Sequence, residues 1–206
     1  MRSRKGPPLI SGEGAAVAYD DGWDGWLAEL QACPHGDVVA ALGRVHRDSE
    51  ELSAGLLDPA VRAAFVNEMD GVLRERLVRF TERSRDEPAL FFSRWIEPDL
   101  IPTLDALARF SSAAAVDRAQ PASAALQKKL DDVLYVELDA ACRAQGWFGL
   151  ERVTAFETRF DPALHRAAGG RDLPAAAGVV VEVREVGRLS IDGRERVSKA
   201  SVFVGR

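Results

Sequence analysis

The 206-residue sequence predicts an α+β fold with its parts segregated: N-terminal helices that form a bundle, then a small C-terminal antiparallel β wing. Two observations predict it. Apolar residues recur at steps of three and four from Val38 as far as Cys142, the period of helices with one buried face. After Gly169-Gly170 the step shortens to two. Val179, Val181 and Val183 alternate with Val180, Glu182 and Arg184, and Asp192-Gly193 supplies a hairpin dipeptide.

Residues 1–20 are punctuated by Gly and Pro and are expected to form a mobile basic tail. A helical region over 21–148 comes next. Residues 21–32 carry Trp23, Trp26, Leu27 and Leu30 at helical spacing, an apolar face expected to dock on the body. Pro34 and Gly36 stop that segment, and Asp37 is the expected N-cap of a helix with Val38, Val39, Leu42 and Val45. Asp58-Pro59 is the clearest helix start, a capping carboxylate before proline at the first helical position. Behind it Phe65, Met69, Val72, Val78 and Phe80 form the expected stripe, which Pro88 ends.

A short helix is expected after Pro98-Asp99, with Leu100, Ile101, Leu104, Leu107 and Phe110 on one face and Pro102 in its first turn. Residues 111–120 read as a small-residue connection. Pro121 opens a longer helix through Leu126, Leu130, Val133, Leu134, Leu138, Ala141 and Cys142, and Gly146 ends it. Two such broad apolar faces need cover, from the same chain or from a second copy. The wing, 149–206, returns through Val197 and Val202-Phe203-Val204.

Composition narrows the function. A net charge of −5 and a pI near 5.3 argue against nucleic acid as the main partner, because phosphate neutralisation needs a local excess of Lys and Arg. No apolar run approaches the roughly 20 residues of a membrane span, so a cytoplasmic protein without a membrane partner is expected. Met1-Arg2-Ser3-Arg4-Lys5 is similar to the start of a signal peptide, but Gly12-Glu13-Gly14 interrupts the apolar stretch that such a peptide needs.

No Gly-rich phosphate loop, nucleophile elbow or paired-cysteine spacing occurs. Cys33, His35 and His46 match no standard metal spacing, and Cys142 falls on an apolar stripe as a core thiol. Lys128-Lys129 and Asp131-Asp132 read as a solvated helix face. The expectation is a protein without enzymatic activity, cofactor or metal.

One segment carries a resemblance. Gly149-Leu150-Glu151-Arg152-Val153, then Phe160-Asp161-Pro162-Ala163-Leu164-His165-Arg166-Ala167, resembles the GrpE family of bacterial co-chaperones, with the family's spacing from Gly149 to Pro162. Gly178-Val179-Val180-Val181-Glu182-Val183 is similar to a strand of that family, and Leu100-Ile101-Pro102-Thr103-Leu104-Asp105-Ala106-Leu107 to one of its helical motifs. The matching stretches cover most of 100–204. By themselves, Asp161-Pro162 would start any short helix and Asp192-Gly193 would make any type I′ turn.

The resemblance implies a nucleotide exchange factor. Its wing would insert against the ATPase domain of a DnaK-type chaperone and release ADP by wedging one lobe open. It places the partner contacts at Phe160, Pro162, Arg184, Arg194 and Val204, and assigns Asp161 and His165 to wing structure. A homodimer is expected through Leu100, Leu104, Leu107, Leu126, Leu130, Val133 and Leu138. The alternative is a helical adaptor that keeps the wing for binding without exchanging nucleotide. Departures are Arg159, Arg188, one extra residue before Gly193-Arg194 and another after it. Breaks at Pro34, Pro59 and Pro88 also leave no long N-terminal paired helix.

Overall fold

The computed structural model describes residues 35–86 and 90–206. The expected tail 1–20, the Trp23–Trp26 face, Cys33, Pro34 and Pro88 lie outside the described residues. Helix α1 is Gly36–Arg47 and α2 is Ser49–Ser53. Asp37 does not cap α1. His35 holds the cap position at φ 71° and Asp37 lies in the first turn, where its charge complements the helix dipole.

Asp58 caps the next helix as expected, its Oδ1 accepting the Ala60 and Val61 N–H groups at 2.8 and 3.3 Å. Asp58→Ala is expected to cost about 1 kcal/mol, read from urea unfolding. This helix, α3, runs 59–86 and passes through a π-helical stretch, Asn67–Val72. The stripe departs from expectation there. Phe65, Met69, Leu73, Leu77 and Phe80 are fully buried, whereas Val72 and Val78 are only partly so. A π-helical turn is wider than an α-turn, so positions four apart stay on one face.

Helix α4 spans 92–116, starting as the π-helical segment Phe92–Leu100, so Pro98 lies inside it and not before it. The wider ladder accommodates the missing proline donor. Residues 111–116 are also helical. Alanine favours this, and Ser112 Oγ donates to the Ala108 carbonyl one turn back at 2.8 Å. Helix α5 spans 121–144, with Pro121 in its first turn.

Six strands complete the chain: β1 Gly149–Glu151, β2 His165–Arg171, β3 Val180–Glu185, β4 Gly187–Leu189, β5 Arg196–Ser198 and β6 Ala200–Gly205. They form two three-stranded sheets, ordered β1-β4-β5 and β2-β6-β3. Only Val186 separates β3 from β4 and only Lys199 separates β5 from β6, so one long hairpin crosses both sheets. The β2–β6 pair is parallel, a departure from a wholly antiparallel wing. A turn at 161–164 delivers β2 to the end of the sheet where β6 begins, with His165 opposite Ala200.

One core joins helices and wing. Val38, Leu42 and Val45 of α1 and the α3 stripe meet Trp95, Leu100, Leu104 and Leu107 of α4, Leu126, Leu130 and Leu138 of α5, and Val180, Val183 and Val202 of the wing. The seven residues allotted to a dimer seam therefore lie in the protomer's own core, the least buried being Val133 at 9% exposure. Helices α1 and α3 supply the cover. Asp131 also departs from the solvated-face reading: it is buried, accepts from Ser111 Oγ at 2.6 Å, and has its pKa raised by burial. Among the described residues no helix is long and apolar enough to cross a membrane.

Candidate functional site

The Phe160–His165 motif builds a turn, not a helix. The Leu164 and His165 N–H groups donate to the Asp161 carbonyl at 3.0 and 2.7 Å, while Asp161 Oδ1 accepts the Ala163 N–H at 2.8 Å. His165 Nδ1 accepts the Asp161 N–H at 3.1 Å, which requires the neutral ring, and burial holds its pKa below the usual histidine value. Asp161 and His165 thus hold the turn together through these bonds. Lys199 Nζ donates to the Pro162 carbonyl at 2.8 Å and ties the turn to the β5–β6 junction.

The β4–β5 hairpin has a four-residue loop. Ser190 N–H donates to the Glu195 carbonyl at 2.7 Å and Gly193 N–H to the Ser190 carbonyl at 2.8 Å. Gly193 has φ 72° but Asp192 has no positive φ, so this is not the two-residue type I′ turn. Asp192 Oδ1 accepts from Ser190 Oγ and from the Arg194 N–H, holding the loop and lowering the Asp192 pKa. Opposite Arg188 and Leu189 the register slips, with Ser198 and Arg196 as their partners. Val197 is left as a bulge residue.

Both features expose apolar side chains. Ile191 is 50%, Val197 60% and Leu164 39% exposed, and the Arg194 side chain is 84% exposed. Pro162 is exposed beside them through its Lys199 tie. The result is a set of exposed apolar side chains about the two turns, together with Lys199 and with Arg194, which pairs with Asp192 at 3.5 Å. Residues 149–206 hold ten basic and eight acidic groups, so the acidic excess of the chain lies outside the wing.

Of the five expected contacts, Pro162 and Arg194 belong to this exposed set. Phe160 is half-buried, packed against the core with its ring 6.0 Å from that of His165. Val204 sits in β6, the central strand of the other sheet, between Gly170 and Val180, and is half-buried. Arg184 is exposed on β3 in that same sheet, apart from Arg194. Ile191, Val197 and Leu164 are isolated apolar residues near turns, and such residues carry no sequence signal that separates exposed from buried.

The wing is braced by α4 and α5. Asp105 Oδ1 accepts the Val186 N–H at 2.8 Å and Ser112 Oγ accepts the Val183 N–H at 3.0 Å, so α4 occupies the open edge of β3 in place of a strand. Tyr135 Oη donates to the Val153 carbonyl at 2.9 Å. Asp105, from the helical motif of the resemblance, opens on a cleft of about 440 Å³ lined also by Arg166, Glu185, Arg188 and Lys199. Burial pushes its pKa up to about 6; the Val186 N–H, Arg109 and Arg188 oppose that shift and Glu185 adds to it.

The remaining candidate chemistry is dispersed. His35 stacks on Phe91 at 4.9 Å and bonds Gln145, whereas His46 lies at the other end of α1 beside Asp70. Cys142 is fully buried, and burial pushes its thiol up to about 12. Comparison with protein-family profiles and with curated proteins finds no match to this chain.

Proposed function

We propose that this chain is a nucleotide exchange factor of the GrpE kind, a co-chaperone that promotes ADP release from a DnaK-type chaperone. The observation that carries this reading is the set of exposed residues Pro162, Leu164, Ile191, Arg194 and Val197 on a wing tied to α4 and α5 by side-chain bonds to its backbone. A wedge must be stiff and must present a partner-complementary edge. Apolar side chains around an exposed cation fit an acidic-rimmed apolar surface. Docking that stabilises the open ATPase domain more than the closed one shifts the population to the state that loses ADP. No bond is made or broken. The residues expected at a dimer seam are enclosed within the protomer, so a homodimer would have to form through another face.

The test is release of a fluorescent ADP analogue from the DnaK-type chaperones of the same cell. Wild-type protein is expected to accelerate release by an order of magnitude or more. The double variant Arg194→Ala, Val197→Asp is expected to need at least ten times more protein for the same effect, with an unchanged thermal midpoint. Binding without acceleration would sink the exchange reading and leave the adaptor. Absence of binding would remove both.

A further inference from the structure

The loop that carries Ile191 and Arg194 has one bond to the helical body among the described residues, and it runs to the last turn of α5. Arg143 Nη1 donates to the Ile191 carbonyl at 2.6 Å. The same guanidinium is held from behind: its Nε donates to Asp139 Oδ1 and Oδ2 at 3.0 and 2.9 Å, one helical turn away. Asp139 Oδ1 in turn accepts the Leu150 N–H at 2.5 Å, where β1 begins. Gly149 leaves room for the arrangement, because a Cβ there would overlap the guanidinium. The Arg143 and Asp139 side chains are 28% and 20% exposed, so the pair is less screened than a surface ion pair.

We infer that Arg143 is the positioning residue of the wing hairpin, fixing the direction in which Ile191, Arg194 and Val197 face the partner. This rests on the exchange-factor reading. Arginine suits the task for a geometric reason. One end of the planar fork is clamped by a carboxylate and the other reaches a carbonyl, two demands at fixed separation that a single ammonium cannot meet together. The hairpin loop is thereby referenced to α5 through one rigid group.

The experiment uses the full chain with Arg143→Met, which keeps a long aliphatic stem and helix propensity, and Arg143→Lys. Amide hydrogen exchange of the free protein is read first. Arg143→Met is expected to raise exchange over 189–196 roughly tenfold while the amides of α4 and β6 are unchanged. Arg143→Lys is expected to recover part of the protection. In the ADP-release assay the half-saturating concentration rises about tenfold at an unchanged maximal rate, since the contact residues are intact. Unchanged exchange over 189–196 in Arg143→Met overturns the inference, and so does a uniform rise along the whole chain with a lowered thermal midpoint. A wild-type protein that fails to release ADP removes the exchange reading, while the exchange of 189–196 still decides whether Arg143 positions the loop.

Discussion

Trp95→Ala is expected to destabilise the protein by about 3–5 kcal/mol. Trp95 is 1% exposed and lies in an aromatic cluster, edge-on to Phe80 at 4.9 Å and stacked on Phe91 at 5.3 Å, with Trp147 at 6.5 Å. Its indole N–H donates to the Arg76 carbonyl at 3.0 Å. Alanine would leave a cavity, lose the ring contacts and lose the indole bond to that carbonyl. The cluster joins α3 and α4 to Trp147, in the connection from α5 to β1, so it anchors the wing as well as the bundle. Domains of this size have about 5–15 kcal/mol in total, so the variant should lose a large share of its stability. Urea unfolding followed by circular dichroism measures it, and a loss below about 1 kcal/mol would show that the cluster is not the centre of the core.

Much of this arrangement can be read from particular residues. Asp58-Pro59, Pro121 and Asp192-Gly193 mark their elements because each acts through its own local backbone. Cys142 is core because its helical step places it there. What escapes is set by contacts that no local pattern encodes. Leu73 and Leu77 replace Val72 and Val78 in the stripe because the π-helical turn changes the period. Asp131 is buried because Ser111, twenty positions away on another helix, receives it. The apolar faces of α4 and α5 have the same period whether the cover is a second copy or α1 and α3, so only the fold could show that it is intramolecular. Of the residues that the resemblance singles out, Pro162 and Arg194 are exposed at the two turns. Val197 is exposed through a slip in register, and a register slip changes which residues face outward.

Asp105→Asn is expected to stabilise the protein above neutral pH, although it removes a charge from a motif residue. The asparagine Oδ1 can still accept the Val186 N–H, so the tie between α4 and the β3–β4 bend is kept. What disappears is the cost of holding a carboxylate away from water. Asp105 has a folded pKa of about 6 against an ordinary 3.8, raised first by burial. A pKa raised on folding contributes stability that is fully present below 3.8 and is lost as pH rises through about 6. The charged groups facing it do not reverse the sign: Arg109 and Arg188 favour ionisation, Glu185 opposes it, and burial outweighs them. Allowing for solvent at the cleft mouth, the difference is about 2 kcal/mol at pH 8, or roughly 4–8 °C in the thermal midpoint. Wild type and variant should converge as pH falls below 3.8, where the carboxyl is protonated in both folded and unfolded chains. Thermal melts at about pH 3, 6 and 8 give the answer. A variant less stable than wild type at pH 8 would mean that the ionised carboxylate strengthens the Val186 bond by more than its burial costs. The folded pKa would then lie below the ordinary 3.8, and the brace on the wing would depend on charge. With the expected sign, the brace does not depend on the charge, and under the proposed exchange function ADP release by Asp105→Asn should match wild type at pH 8.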